Sequence, residues 1–514
     1  MTDTALPTLI QQMLQPGFYP HPTQDPIQLI QTHISYVFLT GDYAYKVKKP
    51  INFGFLDYST LDKRQHFCQE ELRLNQRGAP QIYLDVVPVT QQGDQSTLGG
   101  EGSPVEYVLK MQQFGQTGLF SRLLAEGSLT EEMMVRLGQT VATYHAKTES
   151  NDYIRSFGKV DQVRLAFDEN YAQSEGYIGR AQTQVQFDET KAFTDRYFET
   201  HEDRFVERIR AFKIRECHGD LHLGNICLWH DQLLLFDCIE FNEPFRFVDL
   251  MYDIAYAVMD LDVKQRPDLA NAYLNAYLEA TGDWEGLKVL PIYLNRQSYV
   301  RAKVTSFLLD DPGASSQAKA EASQNAAAYY TLAHRYTQPR QGRITLMSGL
   351  SGSGKSTVAR HWARLSNGIH IRSDAVRKHL AGIPLADRGD AAIYSSEMTA
   401  QTYERLSTLG LTLAQDGYGV ILDAKYDQDA LRRRVIEAAQ AAGIPIQILH
   451  CIAPEQELRT RLEQRASAGQ DIADATADLL EAQKQNWDPF GDLASLVIPI
   501  QTVGDWKAQL MDLL

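Results

Sequence analysis

An α+β domain of two lobes, followed by an α/β domain on a parallel sheet, is what three features of this sequence predict. The first ~110 residues alternate short β-like runs with turns around one helical stretch. From about Gly118 to about Arg335 helical periodicity dominates. After Arg343, apolar strands and helical stretches alternate one for one, the pattern of a parallel sheet with crossover helices. A chain of 514 residues has room for two to four folding units.

In chain order, "SYVFL", the turn "TGD" and "YAYKVK" read as a hairpin, with "IYLDVVPV" and "VEYVLKMQQF" as later strands of the same sheet. Between them "STLDKRQHFCQEELRLNQRG" has helical spacing and stops at Gly78. The helical region is broken by "ICLWHDQLLLFD", a hairpin with a two-residue turn at His230-Asp231. "YTQPRQGR" (residues 336–343) is polar, carries Pro339 and Gly342, and interrupts periodicity. The expected domains are therefore 1–338, with a small lobe at about 20–112 and a helical lobe at about 113–338, and 341–514. In the latter, "ITLMSGL", "GVILDA" and "IPIQILHCIA" are strands and "KSTVARHWARL" is a helix.

Net charge is −15, with about −12 before Gln341 and about −3 from there on. An acidic first part disfavours nonspecific polyanion binding and suits a cationic small substrate, or simply solubility. The near-neutral second part leaves a nucleic-acid acceptor open, but no basic stripe favours one. Cys68, Cys217, Cys227, Cys238 and Cys451 show no paired spacing for zinc or a disulfide framework. No apolar run is long enough to span a bilayer, and the N-terminus has no export signal, so a cytoplasmic location is expected.

Gly349-Leu-Ser-Gly-Ser-Gly354-Lys355-Ser356 fits G-x-x-x-x-G-K-[ST] between a strand and a helix. Gly349, Ser351, Gly352, Ser353 and Gly354 would turn backbone N–H groups around phosphate oxygens, continuing through Lys355, Ser356 and Thr357 at a helix N-terminus. Lys355 would reach the β/γ-phosphates and Ser356 would ligate Mg²⁺, with Asp423 at the end of a buried strand as its partner. Downstream, "IHIRSDAVRKHL" delivers Asp374 to a strand end, where it could take the proton of an attacking alcohol. Arg377, one turn later, could hold an acceptor's negative group. Arg461 and Arg465, four apart on a helix, could neutralise charge developing in transfer. Each of these arginines also fits an ordinary solvated helix face.

"HGDLHLGNI" (residues 218–226) puts Asp220 and Asn225 five positions apart in a glycine-kinked loop, the separation of base and metal-binding Asn in the kinase catalytic loop. The hairpin that follows should return Asp237 beside Asn225. Those two residues could then share Mg²⁺, while Asp220 accepts a hydroxyl proton and His218 orients the loop. His218 and His222 could imitate a metal pair, but Gly219 and Gly224 argue against a helix there.

The motif set "HGDLHLGNI…LLLFDCIEF" resembles the aminoglycoside phosphotransferase/choline kinase branch of the protein-kinase-like fold. That resemblance implies a strand lysine paired with a helix carboxylate. Lys46 is preferred over Lys48, which shares its face, and Glu71 over Glu70. It also leaves Glu240 and Asp249 as acceptor-pocket residues, or Asp249 as a brace of the catalytic loop. No glycine-rich loop joins the first strands, so phosphate cover would fall to Thr40-Gly41-Asp42 or to His33 and Ser35. Residues 341–514 resemble the P-loop kinases related to polynucleotide 5′-kinase and zeta-toxin-like kinases, through "GLSGSGKST…IRSDAVRKHL…VILDAKYDQDALR…PEQELRTRLEQR…DIADAT". In that family the S-D-x-x-R aspartate is the base, which falls on Asp374, and a recurrent arginine falls on or near Arg432. The whole chain has the look of an uncharacterised bifunctional fusion of these two types. The expected function is two-site transfer of the γ-phosphoryl of ATP or GTP, with Mg²⁺, to small-molecule hydroxyls. The alternatives are a polynucleotide 5′-hydroxyl kinase in the second domain, or one domain acting as a non-catalytic nucleotide-gated regulator.

Overall fold

The structure, a computed structural model, describes residues 6–387, 389–468 and 480–513. It divides into two compact units. The first comprises Met1–Leu129, Thr143–Asp260 and Arg296–Ala333; the second comprises Thr130–Ala142, Leu261–Asn295 and His334–Leu514.

The first unit opens with strands β1 (Gln28–Gln31), β2 (Ser35–Leu39), β3 (Tyr43–Lys48), β4 (Tyr83–Gln92), β5 (Gln95–Leu98) and β6 (Pro104–Gln112). They form one antiparallel sheet in the order β1-β2-β3-β6-β4-β5. Side chains alternate across a strand. On β3, Tyr45 and Val47 therefore enter an apolar cluster with Phe38, Val89 and Val108. Lys46 and Lys48 face the other side, towards helix Leu61–Asn75. Thr60 caps that helix by accepting from Lys63 N at 3.3 Å. Its buried positions, Arg64, Cys68, Glu71, Leu74 and Asn75, recur at helical spacing. Three of the five are polar, so this inner stripe serves ion pairs as much as packing.

The rest of the unit is mainly helical, with four short strands: β7 (Ile214–Glu216), β8 (Ile226–Trp229), β9 (Gln232–Leu235) and β10 (Phe247–Asp249). β8 and β9 form the expected hairpin, with Ile226 opposite Leu235. His230 and Asp231 both have positive φ, 47° and 57°, the two-residue turn whose twist matches the strands.

The second unit is built on β11 (Arg343–Ser348), β12 (Ile369–Arg372), β13 (Gly419–Asp423), β14 (Ile446–Ile452) and β15 (Val497–Gln501). All are parallel, in the order β12-β13-β11-β14-β15. The order reverses at β11, so the loop after Ser348 lies at the switch point where such sheets bind ligands. Helix Pro267–Thr281 closes the β12 edge with side-chain amides. Asn275 Oδ1 accepts from His370 N at 2.7 Å, while Asn271 and Asn275 donate to Gly368 O at 2.9 and 3.1 Å. Among the described residues, no helix is long and apolar enough to cross a membrane.

Replacing Asn271 and Asn275 together by alanine should destabilise the second unit by about 1–3 kcal/mol for each backbone group left unpaired. Urea unfolding of the full chain, with each single variant as control, checks this.

Candidate active sites

In the first unit, strand, helix and loop converge on one group of charges. Lys46 Nζ lies 2.7 Å from Glu71 Oε1 and 3.1 Å from Asp237 Oδ1. Burial works against the Lys46 charge, but Asp237 and Glu71 raise its pKa well above the ordinary value. Glu70, one residue earlier, turns outward to Arg73 at 2.8 Å. Lys48 is not idle: it donates to the other oxygen of Glu71 at 2.6 Å and also pairs with Glu240.

The catalytic-type loop is held from beneath. Asp253 accepts from His218 N and Gly219 N, both at 2.8 Å, and meets His145 Nε2 at 3.1 Å. Gly219 is required here: its φ is +85°, and a Cβ would fall 2.6 Å from Phe245 O. Asn225 Nδ2 donates to Asp220 O at 3.0 Å and lies 3.5 Å from Asp220 Oδ2. Burial pushes the Asp220 pKa up, but His222, His218 and Arg301 hold it below the ordinary value, so the carboxylate is charged. Phe236 N donates to Asn225 O at 3.1 Å, which brings Asp237 to the open end of the hairpin near Asn225. Asp237 adopts φ 62°, and its side chain is 51 % exposed. An amide oxygen and a half-open carboxylate suit a hard divalent cation.

The turn between β1 and β2 is Thr32-His33-Ile34, and the Thr32 hydroxyl accepts from Ser35 N at 2.9 Å. The alternative cover, Thr40-Gly41-Asp42, is the β2–β3 turn, where Thr40 Oγ1 donates to Tyr43 O at 2.7 Å.

In the second unit the glycine turn closes over Lys355, whose Nζ donates to Leu350 O at 2.8 Å inside the loop. Burial pulls the Lys355 pKa below its ordinary value, against Asp423 and Cys451. A phosphate there would favour the charged form. Gly352 has φ +80°, and a Cβ would fall 2.7 Å from Leu458 O, so helix Glu455–Ala468 packs directly on the turn. Asp423 ends β13; burial pushes its pKa up, but His370 and the Ser356 hydroxyl hold it down at about 2. Ser356 and Asp423 thus form an oxygen pair fit for Mg²⁺. Asp374 stands in the first turn of helix Ser373–Ala381, and Thr357 follows Ser356 into helix Lys355–Ser366.

Three of the arginines are held by the chain itself. Arg377 Nη1 donates to Ile393 O at 2.9 Å and to Thr399 Oγ1 at 3.2 Å, holding neighbouring chain in place of the open acceptor contact expected. Arg432 is fully buried and donates to Tyr426 O, Asp488 O and Pro489 O at 3.1, 2.8 and 2.9 Å, a clamp on backbone. Arg461 lies at the turn, 3.5 Å from Gly352 O, but is held by Thr502 O at 2.9 Å and Glu457 at 2.7 Å. Arg465 belongs to the same helix; its side chain, like the stretch "DIADAT", lies outside the described residues.

Comparison with known proteins agrees with both halves. Residues 116–290 match a family described as phosphotransferase enzymes, and residues 344–490 match a family described as an AAA domain. The protein is a phosphotransferase. Uncharacterised proteins of Mycobacterium tuberculosis and Mycobacterium bovis are 28 % identical over 474 residues, covering 91 % of this chain and 92 % of each relative. Among solved structures, a gluconokinase from Sinorhizobium meliloti is 18 % identical, covering 34 % of this chain and 95 % of its own, with TM-score 0.25. A choline/ethanolamine kinase family protein from Mesorhizobium loti is 11 % identical, covering 64 % and 99 %, with TM-score 0.37.

Several residues of this phosphotransferase's sites escaped sequence reading. Asp253, not Asp249, braces the catalytic loop; Asp249 is a buried bidentate partner of Arg208, with both contacts at 2.7 Å. Glu240 is buried against Lys48 and Tyr58. Tyr83 OH accepts from Asp237 N at 3.1 Å, and Asn75 Oδ1 from Cys238 N at 2.8 Å. His370 Nε2 lies 2.9 Å from Asp423 Oδ2. Gln483 engages the glycine turn twice, at Ser351 N and Ser351 Oγ, both at 3.0 Å. Neither a histidine within β12 nor a glutamine of helix Leu480–Gln485 carries a motif that would announce these last two.

Asp253→Ala should destabilise the first unit by about 3–5 kcal/mol, as expected when one member of a buried charged network is removed; urea unfolding measures it. The low pKa of Asp423 makes a pH prediction. Its ionised form contributes stability that is fully present above the ordinary carboxylate pKa of 3.8 and is lost as pH falls towards about 2. Asp423→Asn should remove that part of the acid slope, read from urea midpoints between those two values.

Proposed function

We propose that the protein is a bifunctional kinase of the cytoplasm, with two separate sites that each transfer the γ-phosphoryl of ATP or GTP to a hydroxyl of a small molecule. One observation supports the reading: each unit gathers its own set of residues of the kind that handle phosphate. The first is Lys46–Glu71 with Asp220, Asn225 and Asp237; the second is the glycine turn with Lys355, Ser356, Asp374 and Asp423.

At the first site Asp220 is ionised and can take the proton of an acceptor hydroxyl. Glu71 aims Lys46 at the position of the α/β-phosphates, and Asn225 and Asp237 would hold Mg²⁺. At the second site Lys355 and the glycine turn would hold the β/γ-phosphates, Ser356 and Asp423 would hold the metal, and Asp374 would be the base. When bound, Mg²⁺ would supply positive charge against the charge that develops in transfer. The chain supplies position and charge, because phosphoryl transfer asks little covalent chemistry of the protein.

A metabolite pool incubated with the full chain and Mg-ATP, followed by mass spectrometry, tests this. Asp220→Asn should lower formation of one phosphorylated product by about 10²–10⁴-fold, the usual worth of a general base, and leave a second product unchanged. Lys355→Ala should do the reverse. Loss of the same product in both variants, or in neither, would overturn the two-site reading. Transfer to an oligonucleotide with a free 5′-hydroxyl, abolished by Lys355→Ala, would replace the small-molecule acceptor of the second site.

A further inference from the structure

We propose that Lys48 is a positioning residue of the first site, which fixes the loop carrying Asp237 onto β3 by gripping Glu240. The proposal rests on reading that site as a phosphotransfer centre. Lys46 and Lys48 leave the same face of β3 two residues apart and divide Glu71 between them, one oxygen each, at 2.7 and 2.6 Å. Each then reaches a second carboxylate in one short loop: Lys46 takes Asp237, and Lys48 takes Glu240. The two lysines act as two rungs between strand and loop.

The rungs are not equivalent. An ammonium has three N–H donors. Lys48 uses all three, on Glu71, Glu240 and the Tyr58 hydroxyl, and Tyr58 in turn donates to Glu240. No donor remains for a phosphate. Lys46 uses two, and one of its partners, Asp237, is half open to solvent. The side chains of Lys48, Glu71 and Glu240 are 1 %, 1 % and 5 % exposed, so water cannot replace a lost partner. Removing one leaves an uncompensated buried charge.

The loop needs such restraint. Asp237 sits at φ 62°, a region that non-glycine residues rarely occupy, and its amide and that of Cys238 are held from the small lobe by Tyr83 and Asn75. Glu240 is the side-chain anchor at the far end of that segment. Outer partners of this kind orient a metal ligand without touching the metal.

The full chain carrying Lys355→Ala confines nucleotide readout to the first site. Hydrogen exchange of residues 236–242 and affinity for AMP-PNP, with and without Mg²⁺, are then compared in Lys46→Met, Lys48→Met, Glu240→Gln and Tyr58→Phe. Lys48→Met and Glu240→Gln should speed exchange of the Cys238 and Ile239 amides at least about 10-fold. They should also weaken Mg²⁺-dependent binding by about 10–100-fold, the usual effect of losing an outer partner of a metal ligand, with metal-free affinity unchanged. Lys46→Met should weaken binding in both conditions. Should Lys48→Met fail to fold, Glu240→Gln and Tyr58→Phe, which keep side-chain volume, decide the matter. Unchanged exchange in those variants, or metal-free affinity lost with Lys48→Met as with Lys46→Met, overturns the proposal. If the Lys355→Ala chain itself binds no AMP-PNP, the phosphotransfer reading of this site fails, while the exchange measurement still decides whether Lys48 anchors the loop.

Discussion

Glu71 is the constraint on which the first site depends. A carboxylate sealed between a sheet and a helix is tolerable only if its charge is met at once, and two ammonium groups meet it. Burial alone would drive its pKa up; Lys46 and Lys48 reverse that and hold it well below the carboxylate range. The consequence runs outward in both directions. Helix Leu61–Asn75 must present Glu71 inward, which places Asn75 one turn later against the Cys238 amide. Strand β3 must present two lysines on one face, which sends Tyr45 and Val47 into the apolar cluster behind.

The second unit solves a similar problem by other means. Asp423 is a buried carboxylate at the end of a central strand, satisfied by an imidazole and a hydroxyl. Its neighbour Lys355 turns back onto the carbonyl of its own loop. Charge here is arranged around a backbone cradle, whereas in the first unit it is arranged around side chains. The lack of a glycine-rich turn between β1 and β2 belongs to that difference: the Thr32 hydroxyl already takes the N–H groups of that turn.

Much of this was legible in the sequence because the informative signals were local. Strands β2, β3, β4, β6, β11, β13 and β14 announced themselves by apolar runs, and the β8–β9 turn by a fixed two-residue gap. The glycine turn and "HGDLHLGNI" are contiguous, so their residues could be named. What stayed hidden depends on pairs far apart in the chain. Asp253 meets residues thirty-four and thirty-five positions earlier, and Glu240 meets Lys48 across 192 positions. The role of Arg432 was hidden for another reason: a guanidinium that ties carbonyls looks, in sequence, like one that ties phosphates. Strand β15 and the short β1 and β5 were missed because four or five residues, partly polar, give too little periodicity.

The amide pair on helix Pro267–Thr281 carries a further consequence, for solubility. A parallel sheet that ends in a bare strand offers a row of unmatched backbone groups to any passing chain. Asn271 and Asn275 occupy part of that row at Gly368 and His370. Yet they lie in the stretch that matches the phosphotransferase family, about seventy residues before the first strand of the sheet they shield. A polypeptide beginning at the linker would keep its nucleotide cradle and lose its cover, and self-association through β12 is the fate its geometry invites.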